Sequence, residues 1–140
     1  MVTILEVAIT VLCGVGLYVS LFMLGKADRA ERGLLEEPSV VQTPQARLYG
    51  GVPNAALGIA YYAALAAAVW LVRSRVGAAI VLAAVAFAAI TSMILAYSLL
   101  FITKRACPYC WTGHTINWSL AVLAPCLFKT IILFGIAVFW

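Results

Sequence analysis

Four long apolar runs, separated by polar breaks, make up most of the chain. They cover about residues 2–25, 52–72, 76–103 and 107–128. Each run is close to or above the about 20 residues that a helix needs to cross a bilayer. In lipid only helices and closed barrels satisfy their backbone polar groups, and these runs are too continuously apolar for alternating barrel strands. The pattern predicts an all-α integral membrane protein in which residues 1–140 form one domain, a four-transmembrane-helix bundle.

The breaks between the runs indicate how the helices connect. The polar stretch 26–50 is long enough to be a capping loop between helices 1 and 2, whereas residues 73–75 form a tight turn. With four spans, the loop and the start of helix 4 lie on the same side of the membrane. The apolar tail 130–140 rises only about 16 Å as a helix. It extends helix 4, lies in the interface, or is the remnant of a fifth span.

Composition agrees with a lipid environment and narrows the function classes. Of the 140 residues, 66% are hydrophobic and 10% are charged, and the mean hydropathy is +1.09. Soluble domains are about half apolar and about a quarter charged, so a water-soluble monomer, a disordered chain and a fibrous chain are excluded. The net charge of +4 fits loop residues near lipid headgroups. Because no basic cluster alternates with aromatic residues, nucleic acid is not expected as a partner.

A C-x-x-C pair stands at the start of the fourth run. Cys107 and Cys110 flank Pro108, which suits the first turn of a helix. The positive end of the helix dipole and the neighbouring Lys104 and Arg105 favour a thiolate, the nucleophile of disulfide exchange. A spacing of three residues also lets the two sulfurs form a disulfide. By itself the pair indicates redox chemistry, with a metal site or incidental cysteines as alternatives.

Further polar residues follow the pair on the same helical face. His114 and Asn117 continue from Cys107 and Cys110 at spacings of 3, 4 and 3 residues, so the four form one narrow stripe. In lipid this polar stripe must face the bundle interior. His114 donates a hydrogen bond or carries a proton there, or it is simply a packed histidine. Tetrahedral zinc needs four ligands and the stripe offers three at most, so no metal is expected.

Three other residues inside the apolar runs are assigned no role in the chemistry. Cys13 and Cys126 are expected to be inert core cysteines, because a buried cysteine behaves as a small hydrophobe. Glu6 lies about one turn into helix 1. We expect its carboxylate to reach the membrane interface, with a proton relay as the alternative.

Two segments together resemble the vitamin K epoxide reductase family. Residues 107–117 (CPYCWTGHTIN) resemble the active site on the fourth helix of the family, a C-x-x-C followed seven residues later by Asn. Residues 48–58 (LYGGVPNAALG) resemble the entry into its second helix, with Pro53, Asn54 and Gly58. The order of one helix, a long loop and three further helices agrees as well.

The resemblance implies a membrane thiol:quinone oxidoreductase that supports disulfide-bond formation by reducing a quinone or a quinone epoxide. Cys110 would face the quinone and Cys107 would be its resolving partner. Asn54 matches the quinone-binding asparagine of the family, and His114 stands where many members have a quinone-binding tyrosine. The substrate would be a membrane quinone of the menaquinone, ubiquinone or vitamin K type. Since the chain has about the size of the family's catalytic core, the electron donor would be a separate thioredoxin-like dithiol protein.

The loop departs from the family pattern. Members usually carry two loop cysteines that pass electrons to the C-x-x-C, whereas residues 26–50 contain none; the matching positions fall near Ala30 and Pro38. Either a partner dithiol reaches Cys107 directly, or the function has changed. The loop can still cover a quinone pocket with its apolar residues, which are Val40, Val41, Leu48 and Tyr49.

The distribution of basic residues bears on the orientation in the membrane. Cytoplasmic loops are enriched in lysine and arginine. The loop side carries Lys26, Arg29, Arg32, Arg47, Lys104 and Arg105, and the other side carries Arg73 and Arg75, with Lys129 as a third if it lies there. This count favours a cytoplasmic active site in the plasma membrane of a prokaryote, whereas many bacterial members of the family place it outside the cytoplasm.

Two other functions stay open from the residues alone. A dithiol-based metal-handling membrane protein would use Cys107, Cys110 and His114 to pass on a soft cation. A catalytically idle member of the same family, acting as an assembly subunit, would account for the cysteine-free loop.

Overall fold

The apolar runs form four long helices in a computed structural model of the chain, which describes residues 2–36, 39–47, 49–105 and 107–134. The helices are α1 (Val2–Glu31), α2 (Asn54–Leu71), α3 (Arg75–Tyr97) and α4 (Pro108–Phe134). Short 3-10 turns at Val40–Gln42 and Pro44–Arg47 lie between α1 and α2. Within the described ranges extended pairing is limited to the bridge between Tyr49 and Val52, so the all-α prediction is confirmed.

Among the described residues, three segments are long and apolar enough to cross a membrane: α1, α2, and α3 together with its continuation to Thr103. Their outward faces carry large apolar side chains that are strongly exposed, such as Ile4 at 72%, Leu71 at 77% and Val76 at 72%. In water such continuous apolar surfaces would promote aggregation, whereas lipid solvates them. These helices indicate an integral membrane protein.

The first helix is longer than the apolar run predicts. The polar segment 26–31, expected to begin the loop, continues α1 to Glu31. Arg32 supports this last part by pairing with Asp28 one turn earlier, with 3.1 Å between Nη2 and Oδ2. The helix ends where Gly33 takes a φ of 70°, a left-handed conformation that favours glycine at the end of a helix.

The fourth helix also continues beyond its predicted end near residue 128. It passes Pro125 and runs to Phe134, so the first part of the tail 130–140 extends helix 4. The rest of the tail, 135–140, lies outside the described residues, as do Pro38 and Leu48 of the loop.

The third helix changes form before it reaches the C-x-x-C. From Ser98 to Thr103 the backbone forms a π-helical turn, and Lys104 then takes a left-handed φ of 50°. π-helical turns are rare and occur frequently at functional sites. Here the turn follows α3 and ends four residues before Cys107.

Packing differs between the two halves of the bundle. α1 packs against α2 and α4, and α4 also packs against α3. The half remote from the C-x-x-C is closed by an apolar core from all four helices, with Ile9, Val69, Val85, Leu120 and Phe128 fully buried. The half that contains the C-x-x-C encloses a cavity instead.

The expectation for Glu6 is wrong. Its side chain is buried, 6% exposed, and Oε1 lies 3.5 Å from Nη2 of Arg73. A buried carboxylate is costly unless it is paired, and the turn between α2 and α3 brings Arg73 beside α1. The pairing depends on how the helices pack, which the pattern of helix 1 alone does not reveal.

The expectation for the two remaining cysteines is half right. Cys13 is buried in the core, whereas Cys126 is exposed on the outer face of α4. Cys126 follows Pro125 in an apolar run, and hydrophobicity in a lipid-facing helix does not distinguish the inner face from the outer one.

The close approach of α1 and α2 depends on a glycine. A Cβ atom built on Gly16 would lie 2.6 Å from the aromatic ring of Tyr62, whereas one on Gly14 would meet nothing within 4 Å. The absence of a side chain at Gly16 lets the Tyr62 ring lie flat between the two helices.

We expect Gly16→Ala to lower the free energy of unfolding by about 1–3 kcal/mol, because the added methyl group displaces the Tyr62 ring from a packed site. The matched control Gly14→Ala should be neutral or slightly stabilising, since alanine favours a helix more than glycine does. Thermal unfolding of the purified variants in one detergent compares them. Equal unfolding midpoints for the two variants would contradict the close packing at Gly16.

Candidate active site

Cys107 and Cys110 form a disulfide at the N-terminus of α4, with their Cα atoms 5.2 Å apart. The Cys110 N–H donates to Cys107 Sγ at 3.2 Å, and the Trp111 N–H donates to the Cys107 carbonyl oxygen at 3.1 Å. The N–H groups of a first helical turn have no carbonyl partner within the helix, and they stabilise a thiolate when the disulfide opens. The local structure therefore suits a pair that cycles between disulfide and dithiol.

The two cysteines of the disulfide differ in how far they are exposed. Cys110 is partly exposed and lines the cavity, whereas Cys107 is 7% exposed. His114 and Asn117 also line the cavity. Three members of the predicted polar stripe thus face the bundle interior, as the cost of polar groups in lipid requires.

The cavity has a volume of about 540 Å³ and lies among all four helices and the loop. This volume is within the range of small-molecule sites, about 300–1,000 Å³. Its wall is mostly apolar and carries a few polar side chains. The loop contributes Val40, Val41, Gln45, Arg47 and Tyr49 to the wall.

Asn54 lies in the cavity wall at the first position of α2. Its Nδ2 donates to the Gln45 carbonyl oxygen at 2.6 Å. This bond ties the second 3-10 turn to α2. The structure therefore shows a loop-holding contact of Asn54 that the sequence did not predict.

Two further residues, Arg47 and Tyr49, hold the loop over the cavity. Arg47 pairs with Glu31 at the end of α1 and donates from Nη1 to the Gly51 carbonyl oxygen at 2.8 Å. The Tyr49 hydroxyl shares a 3.0 Å hydrogen bond with Thr91 on α3. Together with Asn54, these contacts attach the loop to α1, α2 and α3.

His114 is 8% exposed and neighbours two indole rings, whose centroids lie 6.5 Å from each other. The edge of the Trp111 ring meets it at a centroid distance of 6.1 Å, and Trp118 stacks on it at 6.3 Å with an interplanar angle of 27°. The indoles hold the imidazole plane in one orientation within the cavity wall.

A hydrogen-bonded chain crosses the bundle at the inner end of the cavity. The Tyr62 hydroxyl donates to Asn117 Oδ1 at 2.9 Å, and Asn117 Nδ2 donates to Ser92 Oγ at 2.6 Å. These hydrogen bonds link α2, α4 and α3, and all three residues line the cavity. Sequence reasoning placed Asn117 inside the bundle but missed both partners. The available signal for Ser92 was its hydroxyl, one of a few in a largely apolar run.

Metal-ligating side chains do not cluster in the part of the chain that the structure describes. Across residues 2–36, 39–47, 49–105 and 107–134, no three His, Cys, Asp or Glu side chains come together as a metal site. The metal-handling alternative therefore draws no support from these residues.

The comparison with known proteins identifies one family. Residues 7–125 match the model of the Vitamin K epoxide reductase family. The match covers most of the chain and includes both the entry into α2 and the C-x-x-C. No curated protein matches the chain at a significant level.

We expect Tyr62→Phe to lower the free energy of unfolding by about 1 kcal/mol, because Asn117 loses a donor inside the bundle. Tyr97→Phe is the matched control, since Tyr97 is 60% exposed on the outer face of α3. Unfolding midpoints in the same detergent measure the difference. The hydrogen-bonded chain through Asn117 would have no stabilising role if both substitutions shifted the unfolding midpoint equally.

Proposed function

Because the chain belongs to the vitamin K epoxide reductase family, we propose that it is a membrane thiol:quinone oxidoreductase that supports disulfide-bond formation. The observation that carries the proposal is the Cys107–Cys110 disulfide at an apolar cavity, with Cys110 in the cavity wall. A flat apolar ligand requires such a pocket with a few converging polar groups. Quinones of the menaquinone, ubiquinone or vitamin K type have this chemistry.

The reaction balances as a two-electron transfer. In the reduced state the Cys107 and Cys110 thiols lose two protons and two electrons, and an S–S bond forms between them. The quinone takes up these electrons and protons and leaves as the hydroquinone. A dithiol of a partner protein then opens the disulfide by thiol–disulfide exchange through a mixed disulfide, and the partner leaves in its oxidised form.

The cavity-wall residues receive roles that agree with their positions. Cys110 is the cysteine that faces the quinone, and Cys107, which is more deeply buried, is its resolving partner. Asn54 and His114 are the polar groups that orient the quinone head. The loop caps the site and excludes water from it, held by Arg47 and Asn54.

The electron donor is a separate thioredoxin-like dithiol protein. Since residues 26–50 contain no cysteine, the partner delivers electrons to the C-x-x-C without a relay in the loop. Lys104 and Arg105 are exposed directly before Cys107. Their positive charges stabilise the attacking thiolate as it approaches.

We propose that α4 is the fourth span, because its 27 residues rise about 40 Å as a helix. The membrane is the plasma membrane of a prokaryote. The surplus of lysine and arginine on the loop side places the active site at the cytoplasmic face.

Quinone-dependent oxidation of a dithiol tests the function. Purified protein should oxidise dithiothreitol with a short-chain ubiquinone or menaquinone as acceptor, and Cys110→Ala should reduce the rate to background, because the dithiol can no longer close. Cys126→Ala is the matched control, since Cys126 is exposed on the outer face of α4. Unchanged turnover in Cys110→Ala would refute the mechanism, and a wild-type protein without turnover would favour an idle subunit.

A second experiment tests on which side of the membrane the active site lies. An alkaline phosphatase fused after the C-terminus should be active, because a cytoplasmic active site places both termini of a four-span bundle outside the cytoplasm. The control fusion, inserted in the loop after Thr43, should be inactive. The reverse pattern, with an active loop fusion and an inactive C-terminal fusion, would overturn the assignment.

A further inference from the structure

Several polar side chains of the cavity wall, among them Tyr62, Ser92 and Asn117, are hydrogen-bonded within the protein, but Ser98 is not. Its side chain is 5% exposed, it lines the cavity, and its hydroxyl has no hydrogen-bond partner among the residues that the structure describes. Buried hydroxyls are normally paired, since an unpaired one loses its hydrogen bonds to water without compensation. An unpaired hydroxyl in a cavity wall therefore points to a ligand that pairs with it.

Ser98 stands at the point where the third helix changes form. A serine in a regular helix often bonds the carbonyl oxygen of the preceding turn. Ser98 begins the π-helical turn, and its backbone N–H points to the carbonyl oxygens of both Ile94 and Leu95. The hydroxyl bonds neither of them and lies buried in the cavity wall.

The hydrogen bond between Asn117 and Ser92 relates the positions of Ser98 and Cys110 along the axis of the bundle. It places these two residues at one level of the antiparallel helices α4 and α3. Towards the C-x-x-C, Ser98 lies six residues beyond Ser92, and Cys110 lies seven residues beyond Asn117. At about 1.5 Å per residue these steps correspond to about 9 Å and about 10.5 Å. Ser98 and Cys110 therefore line the same cavity at nearly the same height.

We propose that Ser98 donates a hydrogen bond to a carbonyl oxygen of the quinone that reacts with Cys110. The inference rests on the proposed function and adds a substrate contact to it. As electrons pass to the quinone, its oxygen gains negative charge before it is protonated, so a donor held beside it stabilises the transition state. The electrons and protons come from the two thiols, and Ser98 itself is neither oxidised nor deprotonated.

Tyr61 is a weaker candidate for the same role. It lines the cavity and carries a buried hydroxyl without a partner in the described part of the chain. The hydroxyl of the adjacent Tyr62 bonds Asn117 and the Gly113 carbonyl oxygen, which lie deeper in the bundle than Cys110, so the proposal is limited to Ser98.

Two substitutions and a matched control test the contact. Ser98→Ala removes the hydroxyl and Ser98→Thr retains it. Ser119→Ala removes a hydroxyl of α4 that is not part of the cavity wall and bonds the Thr115 carbonyl oxygen at 2.9 Å. With 2-methyl-1,4-naphthoquinone as acceptor, Ser98→Ala should lower kcat/KM about three- to tenfold, the effect of one hydrogen bond. Ser98→Thr should recover at least half of the activity, and Ser119→Ala should match the wild type.

Two ligands that share a ring system but differ in their oxygens distinguish the loss of a hydrogen bond from the loss of a packing contact at Ser98. Binding of 2-methyl-1,4-naphthoquinone and of 2-methylnaphthalene, which lacks both oxygens, is followed through quenching of tryptophan fluorescence in the oxidised full-length protein. Ser98→Ala should weaken binding of the quinone about three- to tenfold and leave binding of the hydrocarbon unchanged.

Several results would overturn the inference. Turnover and quinone binding of Ser98→Ala equal to those of the wild type would do so, and so would equal weakening of both ligands, which indicates packing alone. If Ser98→Ala does not fold, a Ser98→Thr variant that folds but loses quinone binding counts against the contact. If the wild type binds the quinone but does not turn it over, the proposed function fails while the ligand comparison still decides the role of Ser98.

Discussion

The hydrogen-bonded chain from Tyr62 through Asn117 to Ser92 is the interaction on which the rest of the bundle depends. Lipid offers no partner to a polar side chain, so these groups must satisfy one another between helices. Their bonds orient α4 so that its polar stripe faces inward. They also separate the apolar core at one end of the bundle from the cavity at the other. Gly16 makes the arrangement possible, because only a residue without a side chain leaves room for the Tyr62 ring.

In the proposed function the cavity lies where water and lipid meet, and the proposed chemistry requires both. The disulfide stands at the N-terminus of α4, on the side that carries the loop, where a protein dithiol can approach from water. The apolar wall below it suits a substrate that arrives from the lipid. Arg47, Asn54 and Tyr49 hold the loop between these phases by contacts to α1, α2 and α3. The loop retains this structural role although it has no cysteine.

Polar contacts occur at three levels of the largely apolar bundle. The loop contacts close one end, the chain through Asn117 crosses the middle, and the Glu6–Arg73 pair joins α1 to the α2–α3 turn at the other end. Apolar packing in lipid is weakly directional, because side chains contact lipid tails as readily as other helices. Directional bonds at separate heights therefore define which helices are neighbours and in which register they pack. Ser98 is notable in this setting, because its hydroxyl takes no part in these bonds.

The sequence by itself determined the helices, the cysteine pair and the family. Run lengths identified the helices, helical spacing placed Cys110, His114 and Asn117 on one inner face, and two short motifs indicated the family that the match over residues 7–125 confirms. Each of these features repeats along a single helix or is local in the chain. Only the tertiary structure decided the pairing of Glu6 with Arg73, the outward position of Cys126, and the level that Ser98 shares with Cys110. These depend on the rotation and register of one helix against another, which hydrophobic periodicity leaves undetermined when both the core and the surroundings are apolar.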